Sequence, residues 1–414
     1  MINIHTHIFN GKYTPEYFLL EHAPNKFAAK QIRKMLNGGP LTQKIALALI
    51  KNMGTGAKMI AFVKMGIRKE MEEIFKVLAE ESGYPAHTRF VVLPINFEYM
   101  GGGDCDISYE QQLKDILYKV KQHHRNTCLP FVHIDPRAED TGAKLAAFAK
   151  RYLVRGFVGI KLYPSLGYYP YDPKLKEVYA YAQENELPIM THCSRGGINY
   201  IGNSLIQFYS GISFNPKAPC LLPYGNNPPE PKYVYPTNIK VNAKFCDFFL
   251  DPENYVDALE LFPKLKICFA HFGSDEEINK KLGTPPRNDT WYDKVISLLK
   301  KYPNTVADIS YTLHMPKFRK LVLDDMEMDL KQNPITATDP ITNRLVSKVL
   351  YGTDFYMAYQ EDNCTEAGLY NDAFRDFNSL QNYPELSKLG IGTLWQMMTK
   401  DNCTRYLTSQ YYKA

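Results

Sequence analysis

Eight short apolar runs punctuate the chain, and segments with helical spacing separate most of them. The runs are 1–7 (MINIHTH), 89–96 (RFVVLPIN), 129–135 (LPFVHID), 156–163 (GFVGIKLY), 187–192 (LPIMTH), 265–271 (LKICFAH), 305–310 (TVADIS) and 348–354 (KVLYGTD). Short, nearly continuous apolar runs of this kind predict strands buried on both faces, the mark of a parallel sheet. Apolar positions three and four apart predict helices at 69–81, 109–123, 143–152, 174–185, 252–262, 291–301 and 313–330. Strands alternating with helices predict a parallel sheet, and eight such units predict closure into a (β/α)8 TIM barrel. No tandem repeat of fixed period is present.

Two segments are too long to be simple connections. Residues 11–84, after the first strand, are largely helical in pattern, at 27–36 and 42–68, and predict a small helical cap. Residues 194–250, after the fifth strand, are rich in Pro, Gly, Asn and aromatics. Connections of that length are functional lids or disordered. Aromatic content argues against disorder, which predicts a pocket wall beside His192. The 414 residues read as one barrel domain carrying these two insertions.

Composition narrows the function. The formal charge of +5 is small against 49 basic and 44 acidic residues, and no long basic run stands out. Nucleic acid is therefore not an expected partner. No apolar stretch approaches the roughly 20 residues that span a bilayer, so no membrane is expected either. The start, Met1-Ile2-Asn3-Ile4, lacks the basic and apolar regions of a signal peptide. The eight cysteines are scattered, without a Cys-x-x-Cys pair. A cytoplasmic protein with a small-molecule substrate is the expectation, with homo-oligomerisation left open.

Polar residues at the carboxyl ends of the runs carry the candidate chemistry. They are His5, His7, His192, His271 and Asp354, and in a (β/α)8 barrel those ends converge on one face. Imidazoles with one carboxylate suit zinc or a similar divalent ion, as one or two ions. Residues two apart on a strand share a side, so His5 and His7 point together while Ile2, Ile4 and Ile8 are expected to face the helices. Alternation in Gly159-Ile160-Lys161-Leu162-Tyr163 turns Lys161 and Tyr163 into the barrel. A buried lysine is costly without a partner or a task. Three readings stand for Lys161: a carbamate bridging two ions, a cation facing a substrate carboxylate or an acidic neighbour, or a structural residue. Arg195 begins the long loop and is, with Tyr163, a candidate substrate-binding residue. His133 and Asp135 end the third strand and are read as structural hydrogen-bonding groups.

These residues and their order resemble the amidohydrolase superfamily. The nearest branch is amidohydrolase 2, which includes aminocarboxymuconate-semialdehyde-decarboxylase-like proteins. The resemblance runs through HTH (5–7), FVHIDPR (131–137), GIKLYP (159–164) and DPENYVDALELFPKLKICFAHFGSD (251–275). It continues through WYDKVISLLKKYPNTVADIS (291–310), VLYGTDF (349–355) and KDNCTRYL (400–407). It implies metal-site roles for His5, His7, His192 and Asp354. For His271 it implies a second metal or a catalytic role, and it sets Lys161 where binuclear relatives carry a carbamylated lysine. The long insertion after His192 departs from the family's compact pattern. The implied activity is metal-dependent hydrolysis of an amide, lactone or ester, with Asp354 moving the proton. The alternative is non-oxidative decarboxylation or hydration of a small carboxylic acid on the same site.

Overall fold

All eight runs become strands, and the computed structural model pairs them in chain order. β1 (Ile2–Thr6), β2 (Arg89–Val92), β3 (Cys128–His133), β4 (Gly159–Leu162), β5 (Pro188–Thr191), β6 (Lys266–Phe269), β7 (Thr305–Asp308) and β8 (Val349–Leu350) form one parallel sheet. The structure describes residues 1–51, 56–202, 246–334, 341–361, 364–378 and 392–413. β8 is short, but the chain beyond it runs on along β1. The Ile4 N–H donates to Tyr351 O at 2.9 Å, Asp354 N–H to His5 O at 2.9 Å, and His7 N–H to Phe355 O at 2.6 Å. These bonds bring the last strand back to the first, and the sheet becomes a TIM barrel.

Alternation sorts the side chains into two layers. Val132, Ile160, Leu162, Ile189, Ile267, Phe269 and Val349 pack outward beneath the helices. Val91, Leu129, Phe131, Met190, Cys268, Val306 and Leu350 fill the interior, and Cys403, Tyr406 and Leu407 of the helix Asn402–Leu407 join them. The outer helices bury one stripe each. Trp291–Lys301 buries Trp291, Tyr292, Val295, Leu298 and Leu299, and starts with a Thr290/Asp293 capping box.

β1 departs from the expected alternation. Ile8 lies in the outer layer, but Ile2 and Ile4 pack in the interior group. The β1–β2 register shifts between Asn3 and Thr6. A bulge of that kind breaks the two-residue period, so Ile4 and His5 both reach interior groups.

Between β1 and β2 stand the helices Lys26–Leu36, Pro40–Lys51, Gly56–Gly66 and Met71–Lys76. The helical pattern expected over 42–68 is covered by Pro40–Lys51 and Gly56–Gly66, and residues 52–55 lie outside the described residues. Of the second insertion, 203–245 lies outside the described residues, so only its two ends bear on the expected pocket wall. The seven described cysteines are free, and five of them are buried. Among the described residues no helix is long and apolar enough to cross a membrane.

Gly159 is a packing requirement of the interior. A Cβ there would lie 2.5 Å from the Phe131 ring, which sits opposite in the β3–β4 register. Gly159→Ala should cost about 1–3 kcal/mol in urea unfolding. Adding Phe131→Leu should recover part of the loss, whereas an unaltered midpoint in the single variant would show that the ring can yield.

Candidate functional site

The strands deliver their polar ends to one face. His271 (φ 69°), Tyr311 (φ 57°) and Asp354 (φ 62°) there take positive backbone angles that non-glycine residues avoid, and so do Phe272 and Ser274 in the turn of His271. Such strain costs on the order of 1–3 kcal/mol per residue and concentrates where side chains must be aimed.

His5, His7 and Asp354 meet directly. His5 Nε2 lies 3.4 Å and His7 Nε2 3.2 Å from Asp354 Oδ1. The opposite ring nitrogens fix the tautomers. His7 Nδ1 is 2.8 Å from Leu93 O, a group that can only accept, so Nδ1 carries the proton. His5 Nδ1 is 3.0 Å from Asp308 Oδ2, and the same reasoning applies. Both Nε2 atoms therefore turn lone pairs toward a carboxylate oxygen. Neither His5 Nε2 nor Asp354 Oδ1 has a hydrogen-bond partner. Lone pairs facing each other in a buried site repel unless a cation or proton lies among them.

His192 and His271 repeat the pattern. His271 Nδ1 is held by Ser310 O at 3.1 Å, and His192 Nε2 by Gly196 O at 3.3 Å. The remaining nitrogens, His271 Nε2 and His192 Nδ1, face each other at 3.1 Å. Burial pushes His5, His192 and His271 below the ordinary imidazole value, so all three favour the neutral, metal-binding form. Burial raises the Asp354 carboxyl, whereas positive charge among His5, His7 and His271 pulls it below the usual carboxylate range. Donor atoms of His5, His271 and Asp354 all lie within 4.8 Å of one another, a grouping that suits a metal ion.

Lys161 is fully buried and its amine has no hydrogen-bond partner. Burial pulls its pKa down to about 8, against the opposing pull of Asp308 and Asp354. Its Nζ lies 5.5 Å from the Tyr163 ring centre. Tyr163 stacks on His192 at 4.3 Å, and its hydroxyl accepts from the Ile198 N–H at 3.2 Å. Arg195 is already engaged. Its guanidinium donates to Glu277 (2.5 Å) and Asp247 (2.9 Å) and lies 4.2 Å from the Trp291 ring centre. His133 Nδ1 accepts from the Asn96 N–H at 2.7 Å, and Asp135 pairs with Arg137.

Asp308 is the residue that the strand-end pattern passed over. It accepts from His5 Nδ1, from the Ser310 N–H at 3.0 Å and from the His271 N–H at 3.2 Å. It thereby sets the His5 tautomer and ties β7 to the turn that carries His271. Its signal was alternation in Thr305–Ser310, which turns Asp308 inward with Val306. A cavity of about 430 Å³ opens above the site. His7, Tyr163, His192, Arg195, His271 and Asp354 line it, and so do Phe18, Leu19 and Phe62 of the first insertion. That helical segment is a cavity wall, which its helical periodicity alone did not reveal.

A protein-family model described as amidohydrolase matches residues 101–376. The chain belongs to the amidohydrolase family. No curated protein matches the sequence. Among solved structures, this amidohydrolase is similar to an uncharacterized TIM-barrel protein from Bordetella bronchiseptica, at 13% identity over 98% of both chains (TM-score 0.49). It is similar to a probable 2-pyrone-4,6-dicarboxylic acid hydrolase from Acinetobacter baumannii, at 12% identity over 98% of both chains (TM-score 0.44). A 5-carboxyvanillate decarboxylase from Novosphingobium aromaticivorans with bound manganese is 11% identical, over 90% of this chain and 94% of that one (TM-score 0.43).

Behind Asp354, Glu366 Oε1 accepts from Thr353 Oγ1 (2.6 Å), Tyr84 OH (2.5 Å) and Asn3 Nδ2 (3.3 Å). Burial raises its carboxyl from 4.5 to about 7. Between these values the unfolded chain releases a proton that the folded chain keeps, so stability should fall as pH rises. The loss should reach up to about 3 kcal/mol by pH 7. Urea unfolding of the wild type and Glu366→Gln across pH 5–7 checks this. The gap between them should change with pH in the wild type's disfavour, and a constant gap would rule the effect out.

Proposed function

We propose that this amidohydrolase is a metal-dependent hydrolase that cleaves an amide, lactone or other ester bond in a small molecule. The observation that carries the reading is the convergence of the His5 and His7 lone pairs on Asp354 Oδ1, buried below an open cavity. His5, His7 and Asp354 would hold a divalent ion, zinc or one similar to it, and His192 and His271 offer donors for the same ion or a second. Such an ion acidifies water and polarises a carbonyl oxygen.

The protein groups divide the remaining work. Asp354 takes a proton from the attacking water and returns it to the leaving group. His271, with its Nδ1 proton committed to Ser310 O, has only a lone pair to offer the cavity. It therefore serves as ligand or base, and not as a donor to an oxyanion. Tyr163 buttresses His192 by stacking and contributes to the substrate wall. Arg195, neutralised by two carboxylates, shapes the wall where the second insertion begins. Lys161 is assigned to the metal site as a carbamate. Its amine is buried and partnerless, and desolvation favours the neutral form that reacts with carbon dioxide.

The function is tested by metal analysis of the purified protein and by turnover on panels of amides, lactones and esters. Asp354→Asn should lower turnover by at least about 10²-fold, the scale of a lost general base. Carbon dioxide release from a carboxylic acid panel, with no hydrolysis, would move the assignment to the decarboxylase.

Two variants probe the metal site. Asp308→Asn should weaken divalent-ion affinity by about 10–100-fold in competition with a chelator, because the His5 tautomer is no longer dictated. An unchanged affinity would remove Asp308 from the site. Lys161→Ala should reduce the ion content from about two per chain to one, with short carboxylic acids restoring part of the activity. A wild type that binds one ion and retains a free amine would end the carbamate assignment.

A further inference from the structure

Charge is distributed unevenly along this chain. Residues 22–69 contain ten of its 49 basic residues and none of its 44 acidic ones, so this segment carries +10 and the remainder −5. The segment comprises most of the helical insertion. Its helix Pro40–Lys51 is also turned the wrong way for an ordinary surface helix. Ala46 and Ile50 face the protein, while Leu41, Ile45 and Leu49 stand 73%, 48% and 44% exposed. Positions i, i+4 and i+8 form one stripe along a helix. Exposed apolar residues scattered singly are ordinary, but a contiguous stripe marks an interaction surface. Lys44 and Lys51 project along one border of the stripe, and both are exposed. Beside it, a shallow groove is lined by Leu47, Ala48, Lys51, Ile60 and Lys64.

We infer that the outward face of Pro40–Lys51 docks on an anionic phospholipid surface. An apolar stripe bordered by lysines, on a segment with no acid, is the chemistry of an interfacial helix. The apolar residues enter the headgroup boundary and the lysines meet lipid phosphates, each adding to the attraction. Lack of a spanning helix does not oppose this, because an interfacial helix lies in the plane of the surface. Lys30 and Arg33 are paired with Glu16 and Asp106 of the chain itself, but Lys44 and Lys51 beside the stripe are exposed. A protein partner would need acids placed to match them, whereas an anionic bilayer supplies negative charge in every direction. The adjoining helix Gly56–Gly66 contributes Phe62 to the cavity wall, so one helix separates the docked helix from the cavity.

The test is co-sedimentation of the full chain with vesicles of phosphatidylcholine alone and of phosphatidylcholine with phosphatidylglycerol. The wild type should pellet with the anionic vesicles and not with the neutral ones, and salt should release it. Leu41→Ser/Ile45→Ser/Leu49→Ser and Lys44→Glu/Lys51→Glu should each lower the partition coefficient at least about tenfold. Thermal melts should show both variants as folded as the wild type, since every altered side chain is exposed. Equal partition of wild type and variants, or no preference for anionic vesicles, overturns the proposal. So does a wild-type dimer in solution that the triple serine variant converts to monomer, because the stripe would then belong to a second copy of the chain.

Discussion

The backbone of Asp354 donates to His5 O at 2.9 Å, and the backbone of His7 donates to Phe355 O at 2.6 Å. These two bonds join the end of the last strand to the first, and the site depends on them. His5 and His7 belong to the first seven residues, and Asp354 lies some 350 positions later in the chain. Closing the barrel brings the carboxylate against both imidazoles without any dedicated loop. The left-handed backbone of Asp354 then turns the side chain inward, where a regular strand would have continued along the wall. Fold and site are thus coupled: loosening the seam between β8 and β1 would separate the groups on which the chemistry rests.

Once closed, the interior imposes its own electrostatic constraint. His5, Lys161, Asp308 and Asp354 are all buried within one interior layer. A low-dielectric site cannot hold such groups with their lone pairs opposed and their charges unbalanced. Burial favours the neutral form of His5, His192 and His271, and hydrogen bonds to Leu93, Asp308, Ser310 and Gly196 orient the four rings. Every bare nitrogen then faces another acceptor. This is an arrangement that protein groups alone satisfy poorly and a cation satisfies well. Asp308 holds the arrangement together. It fixes a ring on β1 and the backbone of the turn after β6 while standing on β7 itself.

Much of this was legible in the sequence because it follows from periodicity. Five of the eight apolar runs close on histidine or aspartate, and their order in the barrel points to one face. The inward turn of Lys161 followed from alternation, and in the structure its amine stands among Asp308, Asp354 and the Tyr163 ring. Alternation failed at Ile4, where a bulge inserts one position, and bulges leave no mark in a pattern of hydrophobic residues. Asp308 was missed for a different reason. It sits two residues short of the end of its run, and only its contacts separate it from an ordinary buried acid. Arg195 looked free because its partners, Asp247 and Glu277, are about 50 and 80 positions away in the chain. Long-range ion pairs of this kind cannot be read from local spacing.

The span matched by the amidohydrolase family also separates chemistry from shape. It begins at residue 101, whereas His5 of the donor group and His7, Phe18, Leu19, Phe62 and Ile95 of the cavity precede it. The matched part contains Lys161, His192, His271, Asp308 and Asp354, so it supplies most of the donors. The unmatched part supplies two donors, His5 and His7, and part of the apolar lining, including Phe18, Leu19, Phe62 and Ile95. A helical insertion after β1 can vary in length and composition without disturbing a barrel whose strands are already paired, because its cost falls on a surface connection. The same insertion concentrates the chain's positive charge and carries its exposed apolar stripe. The cavity wall is thus shared between the two insertions, through Phe18, Leu19 and Phe62 of the first and residues 194–199 of the second, whereas the strand ends supply its polar floor.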